Sequence, residues 1–239
     1  MIPATRKRIF LILCAIAIIC ILIRLMLYSG GQIAKPNPNI LQEEDLRHLL
    51  GTPVIVTVFY EALCPDSKHF IIKQLVPAYE VAESIIDIEF VPYGKAMTFD
   101  NGDGLFRFEC QHGPVECQAN TYHACSIEVL EDTRTRLKMI ACMIKDNRQP
   151  KEAMLRCAKE LNIESIDIIQ KCFDSAHVSQ LMKLKGDLTH ALRPAVSFIP
   201  TITLDGSQGR QAAILKNLLA EVCKIAKGIE QADEICKKV

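Results

Sequence analysis

Residues 54–70, VIVTVFYEALCPDSKHF, constrain this chain more than any other stretch. Seven β-branched or aromatic residues run from Val54 to Tyr60, which reads as a strand buried on both faces. Cys64-Pro65-Asp66-Ser67 follows, and a helical pattern starts at Lys68. A cysteine between a buried strand and a helix sits at the positive end of the helix dipole, a place that favours thiolate over thiol. Pro65 suits the first helical position, where its missing N–H costs nothing. The spacing is that of the redox motif Cys-x-x-Cys, with Ser67 at the second place. The plainer alternative is an ordinary cysteine at a strand end. The strand–Cys-Pro–helix context is what the redox reading requires.

Cysteine usage speaks to the compartment. The 239 residues contain 11 cysteines, without the paired Cys-x-x-Cys spacing of a zinc site. An oxidising compartment is the simpler reading. Net charge is +0, which gives no basic surface for a nucleic-acid backbone. At the N-terminus, Arg6-Lys7-Arg8 precedes an unbroken apolar run over 9–23, interrupted by Arg24. Such a run fits a signal-peptide core better than a full membrane span of about 20 residues. Ser29-Gly30-Gly31 offers small residues for cleavage after Gly31. Leu25-Met26-Leu27-Tyr28 extends the apolar stretch, so a retained signal anchor is the alternative to a cleaved peptide. Either way the bulk of the chain is lumenal or extracellular.

Cleavage removes Cys14 and Cys20 and leaves nine: Cys64, Cys110, Cys117, Cys125, Cys142, Cys157, Cys172, Cys223 and Cys236. Nine is odd. The motif cysteine lacks its usual partner, so parity singles out Cys64 as the free thiol and leaves the other eight to pair. A different free cysteine, or a pair between chains, is the competing account.

Lys35-Pro36-Asn37-Pro38-Asn39 is a linker, and residues 41–50 form a short amphipathic helix before the Gly51-Thr52-Pro53 break. Residues 66–84 carry apolar side chains at helical spacing, with a kink expected at Pro77. A second strand is expected over 85–92, making a βαβ unit with a parallel pair. Asp100-Asn101-Gly102-Asp103-Gly104 marks a turn between short strands at 95–99 and 105–109. Its few acidic and amide groups lack the terminal Glu of a calcium loop. From Pro114 to Leu192 the pattern is nearly all helical, with breaks expected at 147–150, at Asn162 and near Gly186. Residues 197–206 then read as a strand with Pro200 at its start and a turn at its end, and residues 211–227 as one last amphipathic helix. This order is that of a thioredoxin-like α/β fold with an inserted helical subdomain. In such folds an X-Pro bond opening the third main strand is cis and lies beside the active cysteine. Pro200, preceded by Ile199, fits that place; an ordinary trans edge proline is the alternative.

One further run is specific. Cys-Gln-His-Gly, two residues, Glu-Cys, two residues, Asn, four residues and Cys stands complete from Cys110 to Cys125. With Tyr60-Glu61-Ala62-Leu63-Cys64-Pro65 and Val91-Pro92-Tyr93-Gly94, it resembles the gamma-interferon-inducible lysosomal thiol reductase (GILT) family over about residues 54–236. The resemblance implies reduction of protein disulfides in lysosomes, endosomes or outside the cell, with roles in antigen processing and host defence. Two departures stand out: Ser67 replaces the usual second cysteine, and no Asn-x-Ser/Thr sequon occurs anywhere.

The chain is thus expected to comprise a leader (1–31), a linker and short helix (32–52), a thioredoxin-like first half (53–113), a helical insertion (114–192) and a second half (193–239). Cys64 is the expected nucleophile and Ser67 occupies the resolving position. Ile199 and Pro200 are expected to contact substrate. Cys110, Cys117, Cys125, Cys142, Cys157, Cys172, Cys223 and Cys236 are expected in disulfides, with Cys223–Cys236 the best single pair because both flank the end of the last helix. His112 is expected to hold the cysteine-rich loop rather than act as a base. No cofactor or metal is expected. The expected partners are disulfide-containing proteins and glutathione or another small thiol; the membrane is met only through the N-terminal segment. A redox-inactive or mixed-disulfide-trapping binder on the same fold is the alternative function.

Overall fold

The computed structural model describes residues 17–22, 24 and 51–239, apart from positions 103, 227, 230 and 238. The chain divides into two units, Met1–Arg47 and His48–Val239. In the first, residues 17–22 are helical. The rest of the expected leader, the linker and the helix at 41–50 lie outside the described residues. Among those described, no helix is long and apolar enough to cross a membrane.

The second unit is organised on β1 (Val54–Tyr60). Its side chains are buried on both faces, save the partly exposed Ile55, as expected of a central strand. β1 pairs in parallel with β2 (Ile86–Pro92), from Val54↔Ile86 to Tyr60↔Pro92. It pairs antiparallel with β5 (Thr201–Leu204), from Val56↔Leu204 to Phe59↔Thr201. The sheet order is β2-β1-β5, the order of a thioredoxin-like core. β5 is shorter than the strand expected over 197–206; beyond it Asp205 N donates to the Ile55 carbonyl at 2.9 Å, its Oδ1 accepts from Ile55 N at 2.9 Å, and the bridge Leu204↔Ser207 closes the turn.

Between β1 and β2 runs α1 (Pro65–Phe70), a π-helical turn at Ile71–Leu75 and α2 (Val76–Ala82). Pro77 has no N–H to give to the preceding turn, and the wider turn just before it absorbs the misfit. A separate hairpin follows, β3 (Met97–Asp100) with β4 (Phe106–Glu109).

The insertion comprises α3 (Pro114–Val129), α4 (Thr133–Met143), α5 (Pro150–Glu160), α6 (Ile166–Asp174) and α7 (His177–Ala191). α3 is its axis, packing against β2 and against each of the other four helices. The structure pairs all eight cysteines expected in bonds. Cys125–Cys172 joins α3 to α6, Cys142–Cys157 joins α4 to α5, and Cys110–Cys117 ties the exit of β4 to the first turn of α3. After β5 come α8 (Gln211–Lys216), α9 (Leu218–Ile225) and α10 (Ala232–Cys236), with Cys223–Cys236 joining the last two. Loops of this size each stabilise by roughly 2–4 kcal/mol through the unfolded chain.

Two helix expectations are corrected. α7 runs unbroken through Gly186. The glycine is there for contact, not for a break: a Cβ at 186 would meet Cε2 and Cζ of Tyr93 at 2.8 Å. The last helix is not continuous, because the Asn217 side chain accepts from Ala220 N at 3.1 Å and starts a new helix after α8.

Four polar residues of α3 are fully or almost fully buried: Glu116, Asn120, His123 and Ser126. The first three recur at helical spacing and face the end of β1. Tyr60 Oη lies 2.8 Å from His123 Nδ1, and the Asn147 side-chain amide lies 2.8 Å from His123 Nε2. Burial pulls the His123 pKa down to about 3, so the ring is neutral in the fold.

Two measurements follow from this packing. Gly186→Ala gains about 1 kcal/mol of helix propensity but overpacks against a buried tyrosine ring, which costs roughly 1–3 kcal/mol. Tyr93 is held by a 2.7 Å hydrogen bond with Thr98, so the ring has little room to yield. Urea unfolding is expected to show a net loss, whereas a gain would mean the ring moves freely. His123 sets a pH dependence. Unfolded, it binds a proton below about 6.5; folded, it does not until about 3, so stability is lost as pH falls through that window. At pH 5 the loss is about 2 kcal/mol relative to neutral pH. His123→Gln is expected to flatten the stability–pH curve between pH 7 and pH 5 by that amount, and an unchanged slope would contradict the assignment.

Candidate active site

The ladder of β1 ends at Tyr60, and the next backbone N–H groups are buried and need partners. Glu61 N donates to Ser67 Oγ at 3.3 Å. Ala62 N donates to Asn120 Oδ1 at 2.8 Å. Cys64 N donates to the Glu61 carbonyl at 3.3 Å, closing a turn. Cys64 then stands at the N-cap of α1 with extended backbone, and its carbonyl accepts the first helical bond from Lys68 N at 3.0 Å.

Cys64 is 8 % exposed, and its thiol lies 3.9 Å from the Ile199 carbonyl oxygen, a weak S–H hydrogen bond. The Ile199–Pro200 bond is cis. The structure therefore brings Cys64 and Ile199 together. Phe198, next in line, is an exposed aromatic surface. Ser67 is fully buried one turn into α1, and no hydrogen bond joins it to Cys64 among the described residues. Asp66 is exposed. Among the described cysteines, Cys64 and Cys20 are unpaired.

Under the turn lies a buried acid that sequence reasoning passed over. Glu61 is 1 % exposed; its Oε1 accepts from Lys95 N at 2.8 Å, and its Oε2 lies 3.4 Å from His112 Nδ1. Burial raises the Glu61 pKa, as does nearby Glu116, while the Lys95 N–H and His112 oppose the rise. His112 is bound to Glu116 twice: Nδ1 lies 2.6 Å from Oε2, and the His112 backbone N donates to Oε1 at 3.0 Å. His112 thus braces the cysteine-rich loop against Glu116 and Glu61. Gly94 closes the arrangement. It has φ of +64°, and a Cβ there would fall 2.2 Å from Glu61 Cγ.

Residues 60, 61 and 62 are therefore gripped in turn by His123, by Glu116 through His112, and by Asn120. The donor atoms of Glu61, His112 and Glu116 lie within 4.8 Å of one another, close enough to share a metal ion. Each carboxylate already spends its other oxygen on a backbone N–H, and the imidazole bridges the pair as a hydrogen-bonding group. Cys142, Cys157 and Glu160 also converge, but both sulfurs are spent in a disulfide. The Glu61 role was marked in the sequence only by a glycine in Pro92-Tyr93-Gly94, whose contact with position 61 no local pattern reveals.

The family model described as gamma interferon inducible lysosomal thiol reductase (GILT) matches residues 55–161. GILT-like protein 1 of Drosophila melanogaster is 34% identical over 191 residues, covering 72% of this chain and 74% of that protein. The gamma-interferon-inducible lysosomal thiol reductase of Carassius auratus is 32% identical over 184 residues, covering 76% and 72%. Among solved structures, the reduced form of the disulfide bond oxidoreductase DsbG from Mycobacterium tuberculosis has a TM-score of 0.49 at 15% identity, covering 77% of this chain and 83% of that one. The run from Cys110 to Cys125 supplies the brace around the Cys64 turn, and relatives above 30% identity extend the likeness across most of the molecule; the chain belongs to the gamma-interferon-inducible lysosomal thiol reductase family.

Proposed function

We propose that this protein is a thiol–disulfide oxidoreductase that works through one nucleophilic cysteine, Cys64. The observation that carries the reading is the setting of that thiol. It is unpaired at a helix start beside Ile199, in a unit whose other eight cysteines are all bonded, and the resolving position holds a buried serine. The named thiol reductases among its relatives support the reaction class. Four disulfides in one unit support an oxidising setting. With relatives named as gamma-interferon-inducible and lysosomal, that setting supports action in the endo-lysosomal lumen or outside the cell, in host defence, with entry by a cleaved signal peptide or retention on a signal anchor.

The Cys64 thiolate attacks one sulfur of a substrate disulfide; a new S–S bond forms and the other substrate sulfur leaves as a thiolate. Ser67 cannot attack that mixed disulfide. A small thiol such as glutathione attacks the Cys64 sulfur and releases the substrate thiol. A second small thiol then frees Cys64 and leaves as the small disulfide. Two small thiols are oxidised for each substrate disulfide reduced. The extended substrate segment lies along Ile199 and Pro200, its backbone adding to the sheet margin as an extra strand. The same serine favours a second reading, a binder that holds its partner as a long-lived mixed disulfide.

Ser67→Cys tests this. The new thiol supplies the missing step, so turnover without added small thiol is expected to rise and mixed disulfides to shorten in life. The substitution also exchanges a hydroxyl acceptor for sulfur at Glu61 N, a loss of about 1 kcal/mol of stability. Cys64→Ser is expected to abolish activity and iodoacetamide labelling at position 64. Unchanged turnover and unchanged mixed-disulfide lifetime in Ser67→Cys would sink the monothiol mechanism.

A further inference from the structure

A groove of about 460 Å³ opens beside the Cys64 turn, on residues the mechanism has not used. One wall is Ala62, Leu63, Pro65 and Lys68; the other is the loop at 144–148 between α4 and α5. Leu63 and Pro65 flank Cys64 directly, and the groove shares no lining residue with Ile199 and Pro200. Cys64 itself does not line the groove, which adjoins the nucleophile through these two chain neighbours, on a surface separate from Ile199 and Pro200.

Both walls are fixed in place. Lys68 Nζ donates to the Lys145 carbonyl across the groove. Asn147 is 3 % exposed, its side-chain amide held against the buried ring of His123. Three exposed cations line the groove, Lys68, Lys145 and Arg148, against one exposed carboxylate, Asp146. None of the three cations is in an ion pair among the described residues. Asp66 is exposed nearby in sequence but does not line the groove. A larger depression of about 610 Å³ between α2, α4 and α5 also carries Lys145, with Lys138, but its two arginines are committed, Arg134 to Glu83 and Arg156 at 3.9 Å from Glu160, and neither neighbour of Cys64 lines it.

We propose that this groove seats the small thiol that resolves the mixed disulfide, and that Lys145, Arg148 and Lys68 select a thiol carrying a carboxylate. The inference rests on the monothiol reading above. The logic is that of in-line exchange: the attacking sulfur approaches the Cys64 sulfur from the side away from the departing one. With substrate along Ile199 and Pro200, the incoming thiol needs a seat that substrate does not fill. A carboxylate-bearing thiolate RS⁻ bonds to the Cys64 sulfur and the substrate sulfur leaves as a thiolate taking up a proton. A second RS⁻ then attacks the R sulfur of that mixed disulfide, releasing the Cys64 thiolate and RSSR.

The test measures turnover of a neutral peptide disulfide driven by 3-mercaptopropionate, 2-mercaptoethanol or cysteamine, in the unaltered protein and in the double variant Lys145→Glu, Arg148→Glu. Dividing variant by unaltered KM for each thiol removes its intrinsic nucleophilicity. The ratio of KM for 3-mercaptopropionate to KM for 2-mercaptoethanol is expected to rise about ten-fold on charge reversal, the scale of two exposed charge contacts inverted. The corresponding ratio for cysteamine is expected to fall. In the unaltered protein the preference for the anionic thiol is expected to weaken with added salt. Equal shifts for all three thiols, or none, would overturn the proposal. So would a variant effect confined to the KM of a peptide disulfide flanked by acidic residues, which would make the groove a substrate site. Absence of turnover with every thiol, while Cys64 still reacts with iodoacetamide, would instead strike at the oxidoreductase reading itself.

Discussion

The turn that carries Cys64 exists because β1 stops pairing in the middle of the protein. A strand that ends at a surface can leave its last N–H groups to water; this one cannot. The Ser67 hydroxyl takes the N–H of Glu61, and the Asn120 amide takes that of Ala62. His123 fixes Tyr60 from the same face of the same helix. One stripe of α3 thereby holds three consecutive residues, and the disulfides that pin α3 at Cys117 and Cys125 hold the stripe in turn. The insertion is part of the machinery that aims the cysteine.

That dependence explains why so much charge is hidden beneath the turn. Glu61 and Glu116 are both buried, and each is tolerated because a backbone N–H and the His112 ring bind it. Their neighbourhood responds to acid in opposing ways. Stability tied to His123 falls as pH drops below about 6.5, since only the unfolded ring takes a proton. For Glu61 the raised pKa works the other way: the fold disfavours its carboxylate, so its cost is relieved as pH falls through the raised pKa.

Much of this was legible in the chain. The unbroken β-branched run before Cys64 announced a doubly buried strand, and Pro200 announced its neighbour. The spacing of Cys110, His112, Glu116, Cys117, Asn120 and Cys125 carried the family. What stayed hidden were contacts between distant residues. Gly186 reads locally as a helix breaker, yet it sits mid-helix because the Tyr93 ring needs the space. Asn217 reads as one more helical polar residue, yet it caps a new helix. Lys68 lies close to Cys64 in the chain, but Lys145 is 77 residues beyond Lys68 and Arg148 farther still, and no sequence window joins that loop to the nucleophile.

The account turns on a nucleophile without a resolving partner, and intact-mass measurement reads that directly. The fully folded protein, its four disulfides retained, is mixed with excess peptide disulfide and no small thiol. One peptide adduct per chain is predicted on the Cys64 segment, persisting until a small thiol is supplied. Release of both peptide thiols without an adduct, alongside a new disulfide from Cys64 to another cysteine of the chain, would contradict it.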